Sequence, residues 1–141
     1  MPGIYHPNRL HWEQKDNITT EMYLKTIFLY AESNNRDPRP VDIVNELDLS
    51  KGTVSEMLKK LSGDRLIEYH SYGKIKLTTI GQKKAENVVR KYLVLKRFLV
   101  DILGVSPAKA HNEACGLEHV FSDDSIKKLG TFLNKTRQKN K

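Results

Sequence analysis

The sequence predicts a mostly α fold, with an N-terminal winged helix-turn-helix followed by an α-helical unit. Three observations predict it. Between residues 18 and 78 come a helix, a short helix, a tight turn, a polar-faced helix and two short β runs, in that order. One long amphipathic pattern then reaches Leu103. Two more helical segments close the chain, and the first carries Cys115, Glu118 and His119 at i, i+3 and i+4, which puts them on one face.

Residues 1–17 hold two prolines and no clean period, so they read as an arm with a short helix over Arg9–Gln14 at most. His6, His11 and Trp12 in this arm read as incidental. Structure is expected to begin at Ile18, where Thr19 or Thr20 caps a helix carrying Met22, Leu24, Ile27, Phe28 and Ala31. Residues 33–40 form a loop by composition. A short helix over Val41–Leu47 and a turn at Asp48-Leu49 lead to Ser50, the cap of a helix over Lys51–Ser62. Val54, Met57, Leu58 and Leu61 form its apolar stripe, while Lys51, Thr53, Ser55, Glu56, Lys59 and Lys60 form its other face.

The β runs Leu66–Tyr69 and Ile75–Leu77 are short enough, with Gly73 between them, to form a hairpin. Thr78 or Thr79 caps the long helix, which keeps helical spacing through Ala85, Val88, Val89, Tyr92, Leu99, Ile102 and Leu103. At about 1.5 Å per residue it spans roughly 37 Å. Gly104 ends it. Ser106-Pro107 starts the next helix, and Ser122-Asp123-Asp124 caps the last, whose Ile126, Leu129, Phe132 and Leu133 are apolar. The basic tail Lys135–Lys141 reads as frayed. The chain thus divides into an arm (1–17), a winged helix-turn-helix domain (18–78) and a helical domain with a basic tail (79–141).

A chain of 141 residues buries a core without staples. Its net charge of +7 and pI near 9.5 favour polyanions, nucleic acid first. A single cysteine excludes an intramolecular disulfide and points to a reducing interior. No apolar run approaches the roughly 18–20 residues that span a bilayer, and the N-terminus lacks a signal peptide's apolar stretch, so a cytoplasmic protein with no membrane partner is expected. In a winged helix the second helix of the pair enters the major groove of double-stranded DNA. Ser50, Lys51, Thr53 and Ser55 lead that helix, Gly52 permits close backbone approach, and Lys59, Lys60 and Lys74 lie near phosphates. The Cys-Glu-His face offers a thiolate, a carboxylate and an imidazole, a half-site for a divalent transition metal. The same residues also read as a small buried Cys beside a solvated Glu-His pair.

Thr19-Thr20-Glu21-Met22-Tyr23-Leu24, the Leu49–Leu61 helix, Leu77-Thr78 followed by Gly81, and Glu113–His119 with Ser122-Asp123 after it resemble the diphtheria-toxin-repressor (DtxR/MntR) family of metal-dependent transcriptional regulators. The likeness covers about residues 18–134 in matching order and implies a DNA-binding domain joined by the long helix to a helical dimerisation and metal domain. It also implies that Met22 joins Cys115, Glu118 and His119 as ligands, as in the iron-responsive branch. Soft thioether and thiolate donors favour Fe(II), with Mn(II), Co(II), Ni(II) or Zn(II) as other candidates. The implied protein is a homodimeric repressor of metal-uptake genes that binds an inverted-repeat operator.

The family pattern is broken at the second metal site. Tyr92 stands where a His is usual, Lys96 where iron-responsive members have a Glu, and Lys25 where manganese-responsive members have an acidic ligand. Only His111 remains, best explained as a core residue without a metal, so one ion per chain is expected. An alternative is that His111, Glu113 and His6 or His11 rebuild a second site. The SH3-like domain of longer members is not expected here. No nucleophile–base pair and no phosphate-cradling glycine loop appears, so no enzyme is expected. The rival reading is a winged-helix regulator that responds to an organic ligand or to nothing.

Overall fold

The computed structural model describes residues 15–69 and 73–139. Residues 1–14, with His6, His11 and Trp12, lie outside the described residues, as do 70–72 and 140–141. The chain divides into two compact units, 1–84 and 85–141, and the boundary falls inside the long helix.

In the first unit, α1 (Lys15–Asn34) buries Tyr23, Leu24 and Ile27. It begins earlier than the arm reading allowed, so Thr19 and Thr20 sit inside the helix and do not cap it. Helix α2 (Pro40–Leu47) starts on a proline, whose missing N–H costs nothing at that position. The Arg39 N–H donates to Asp42 Oδ2 at 2.8 Å, and Asp48, in the left-handed region at φ 53°, ends the helix. Burial alone would raise the Asp42 carboxyl, but hydrogen bonds from the Arg39 N–H and the Arg36 guanidinium hold it below its ordinary value. Ser50 caps α3 (Lys51–Gly63) as expected, accepting from the Thr53 N–H at 3.1 Å. Val54, Leu58 and Leu61 turn inward.

Strands β1 (Ile67–Tyr69) and β2 (Ile75–Leu77) pair antiparallel, Ile67 with Leu77 and Tyr69 with Ile75. Ile67 and Ile75 point to the core, and Gly73 supplies a φ of 83°. Thr78 caps α4 (Thr79–Arg97): its Oγ1 accepts from the Gly81 N–H at 3.1 Å and donates to the Arg65 carbonyl at 2.8 Å. A side chain at Gly81 is impossible without movement, since a Cβ there would stand 2.0 Å from the Leu66 carbonyl oxygen.

The second unit begins within α4. Ala85, Val88, Lys91, Leu95 and Leu99 are its buried positions, at two three-residue steps followed by two four-residue steps. The helix widens to a π-helical turn over Phe98–Ile102 and stops at Gly104, φ 69°. Ile102 and Leu103, read as part of the apolar stripe, are exposed. Ser106 caps α5 (Pro107–Leu117), whose Ala110 and Ala114 are small enough to pack closely on Leu95 and Leu99. Helix α6 (Asp123–Lys139), capped by Ser122, closes that core with Ile126. The tail is therefore not frayed from Lys135: the helix runs to Lys139, with the Thr136 hydroxyl donating to the Phe132 carbonyl. Among the described residues no helix is long and apolar enough to cross a membrane.

Candidate nucleic-acid interface and metal centre

Helix α3 segregates its side chains by the 3.6-residue period. Lys51, Gly52, Thr53, Ser55, Glu56, Lys59 and Lys60 are all exposed, opposite the buried Val54, Leu58 and Leu61. Nothing lies within 4 Å of a Cβ built on Gly52, so the face is open there. Ser50 is exposed too, but its hydroxyl accepts from the Thr53 N–H and donates to Thr53 Oγ1 at 2.8 Å. Its first duty is therefore the cap, and the exposed hydroxyl of Ser55 and the lysine ammonium groups are better placed to meet a nucleic acid. Lys74, just before β2, is exposed as well. Met22 is half-buried on α1 and lines a cleft of about 470 Å³ between α1 and α3, with Leu49 and Met57 among its walls.

The metal-type residues of the second unit lie where α5 ends. The helix stops at Leu117, yet Glu118 keeps right-handed helical angles and its N–H still donates to the Ala114 carbonyl, so the i, i+3 relation to Cys115 survives the helix end. Glu118 is 1% exposed. Its Oε1 stands 3.2 Å from His119 Nε2, and the His119 side chain is buried with it. The solvated Glu-His pair considered from the sequence is thus a buried one. An ionised carboxylate out of water is costly unless hydrogen bonds or a cation compensate it. Cys115 is half-buried and faces His111, Sγ to Nε2 at 3.9 Å. Among the described residues no three His, Cys, Asp or Glu side chains converge to hold an ion.

His111 is exposed, not a core residue. Its Nδ1 lies 2.6 Å from the Tyr92 hydroxyl, with the two rings edge to face at 5.5 Å. Lys96 Nζ lies over the Tyr92 ring, 5.8 Å from its centroid. Two positions that break the family's second-site pattern therefore interact with its one remaining histidine or with each other. Sequence spacing could not have revealed the Tyr92–His111 bond, because the residues are 19 apart on different helices. Lys91 was missed as well. It is buried in the stripe of α4, donating from Nζ to the Phe121 carbonyl at 2.7 Å and pairing with Asp123 at 3.0 Å. Its position three residues after Val88 and four before Leu95 was the available signal.

Comparison with known proteins assigns both units. Residues 18–75 match the iron dependent repressor, N-terminal DNA binding domain, and residues 78–140 match the iron dependent repressor, metal binding and dimerisation domain. An uncharacterized HTH-type transcriptional regulator of Methanocaldococcus jannaschii is 34% identical over 119 residues, covering 84% of this chain and 95% of that protein. The iron-dependent repressor IdeR of Mycobacterium leprae is 37% identical over 116 residues, covering 82% of this chain and 50% of the relative. Among solved structures, the manganese regulator SloR superposes with a TM-score of 0.72 at 32% identity, over 82% of this chain and 53% of that one. The chain thus spans about half the length of IdeR and SloR.

Proposed function

This chain belongs to the family of iron-dependent repressors, and on that premise we propose that it is an Fe(II)-responsive repressor of metal-uptake genes acting as a homodimer on an inverted-repeat operator. The observation that carries the metal half of this reading is Glu118, a carboxylate buried beside His119 in the matched metal-binding domain. Glu118 and His119 bring an oxygen and a nitrogen donor together, and Cys115, which faces His111 in this structure, would have to turn toward them to add a soft donor. Met22, Cys115, Glu118 and His119 would hold the ion. A bound ion would supply Lewis-acid bonding to Met22 of the first unit and to Cys115, Glu118 and His119 of the second.

The rest is done by the chain's own residues. Ser50 holds the start of α3, the exposed Thr53 and Ser55 meet base edges, and Gly52 lets the backbone approach. Lys51, Lys59, Lys60 and Lys74 meet phosphates. Tying the units together would favour one spacing of the dimer's two recognition helices, and the difference in ion affinity between ordered and open arrangements would set how far the population shifts. Leu93, Ile102 and Leu103 are exposed apolar side chains of the second unit that a partner copy would cover.

Soft donors favour Fe(II) over Mn(II), and Co(II), Ni(II) or Zn(II) serve as laboratory substitutes. Similarity to both an iron-dependent repressor and a manganese regulator makes the metal the point to test. Operator binding titrated anaerobically with Fe(II), Mn(II) and chelator should respond to Fe(II) at lower concentration and vanish with chelator. Met22→Asp with Cys115→Glu should move the response toward Mn(II). Activation of the unmodified protein by Mn(II) alone would defeat the softness argument, and metal-indifferent binding in both unmodified and Cys115→Ala protein would favour a regulator not governed by metal.

A further inference from the structure

The net charge of +7 is not spread evenly along the chain. Residues 1–84, which hold the whole winged helix, carry 13 Lys and Arg against 11 Asp and Glu. Residues 85–124 carry 5 against 6, and residues 125–141 carry 6 against none. Almost the entire cationic excess therefore sits in the last 17 residues, most of them in α6.

The helix itself explains what that charge can do. Ile126 and Leu133 are buried and Leu129 packs on the core of the second unit, so most of the apolar stripe of α6 is used, while Phe132 stays 49% exposed. Beyond the acidic first turn, the exposed positions are Lys127, Lys128, Thr131, Phe132, Asn134, Lys135 and Arg137, four of them cationic and none acidic. Helix dipole stabilisation favours cations only in the last turn. Lys127 and Lys128 lie near the start, where that effect offers nothing. The pairing of Lys128 with Asp124 at 3.2 Å joins two side chains exposed by 78% and 74%, and an exposed pair of that kind holds a lysine only weakly. A helix whose exposed surface beyond its first turn is mainly cationic, with one exposed aromatic ring and no continuous apolar stripe left, attracts polyanions but has little to insert into lipid.

We propose that the outward face of α6 is a second phosphate-binding surface for duplex DNA. This rests on the reading of the chain as a DNA-binding regulator, because tethering to a bound winged helix raises the local concentration of phosphate at α6. The surface reads no bases. It adds affinity and salt sensitivity to any duplex, while sequence preference stays with α3.

The test compares the full-length protein with Lys127→Gln/Lys128→Gln/Lys135→Gln/Arg137→Gln, and with the milder Lys128→Gln/Lys135→Gln, after circular dichroism and thermal melts have shown both folded. Binding to a duplex of unrelated sequence is measured across a salt series. The quadruple variant should bind at least tenfold more weakly, and its slope of log affinity against log salt should be shallower by about 0.9 for each phosphate it no longer neutralises. The double variant should fall between. Thr53→Ala/Ser55→Ala should instead lose operator preference and keep the slope on unrelated duplex. Unchanged slope and affinity in the quadruple variant would overturn the proposal. So would a loss confined to phosphatidylserine-containing vesicles with duplex binding intact. An unmodified protein that binds duplex through α6 yet shows no operator preference with metal would defeat the regulator reading alone.

Discussion

Glu118 and Gly81 show how much a single residue can decide. Glu118 reads from sequence either as part of a metal half-site or as half of a solvated Glu-His pair, and its burial beside His119 removes the solvated alternative. Calorimetric titration of the dimer with Co(II) should saturate at one ion per chain and vanish in Glu118→Gln/His119→Ala. Two tight ions per chain would show that His111 serves a second site in spite of its Tyr92 bond and the neighbouring Lys96 cation. Gly81 matters for the opposite reason, because it must have no side chain. With 2.0 Å between a Cβ and the Leu66 carbonyl, a backbone atom that cannot swing away, Gly81→Ala should cost at least about 1–3 kcal/mol. Denaturant melts would read this directly, and an unchanged midpoint would mean that the strand end moves more easily than its hydrogen bonds suggest.

Among the elements, α4 carries the least expected chemistry. A lysine occupies its buried stripe because two acceptors meet it there, the Phe121 carbonyl and Asp123. Lys91→Met keeps the apolar stem but leaves that carbonyl without its donor, so about 1–3 kcal/mol of stability should be lost in chemical unfolding. Hydrogen bonds from Asn87 and Lys91 hold the Asp123 carboxyl below its ordinary value. A depressed carboxylate contributes stability above its unfolded pKa and loses it as pH falls through the folded one. The stability gap between the unmodified protein and Asp123→Asn should therefore be present at about pH 7 and close below about pH 4. With the Asp123 side chain 72% exposed the gap will be small. A gap that widens in acid would reverse the sign of this account.

The molecule as a whole pairs a DNA-binding domain with a dimerisation domain, as its family does. A homodimer on an inverted repeat should prefer half-sites about one helical turn apart, roughly 34–36 Å. Inserting about five base pairs between half-sites, half a helical turn, moves one half-site to the opposite face of the duplex and should abolish tight binding, whereas a monomer would not notice. Sedimentation should find a dimer at micromolar concentration. A monomer there, with spacing-independent binding, would remove the basis for the operator reading.

The periodicity of apolar residues and the turn and cap residues between them were enough to place the helices, the hairpin and their order. Those features act locally, over one turn of helix or one strand pair. Ser50, Ser106 and Ser122 were legible as helix starts for that reason, as was the polar face of α3, while the choice between Thr78 and Thr79 was made only by the fold. Thr19 and Thr20 misled because a cap residue and a helix-interior threonine look alike in sequence when the start of the helix lies further upstream. Only tertiary packing could make Lys91 a buried donor, turn Glu118 and His119 inward, or bring Tyr92 onto His111, since each depends on a partner from a distant segment. Burial is a property of the assembled fold. The amphipathic pattern predicts which face turns inward, but the partner that makes a charge tolerable there exists only once the helices have packed.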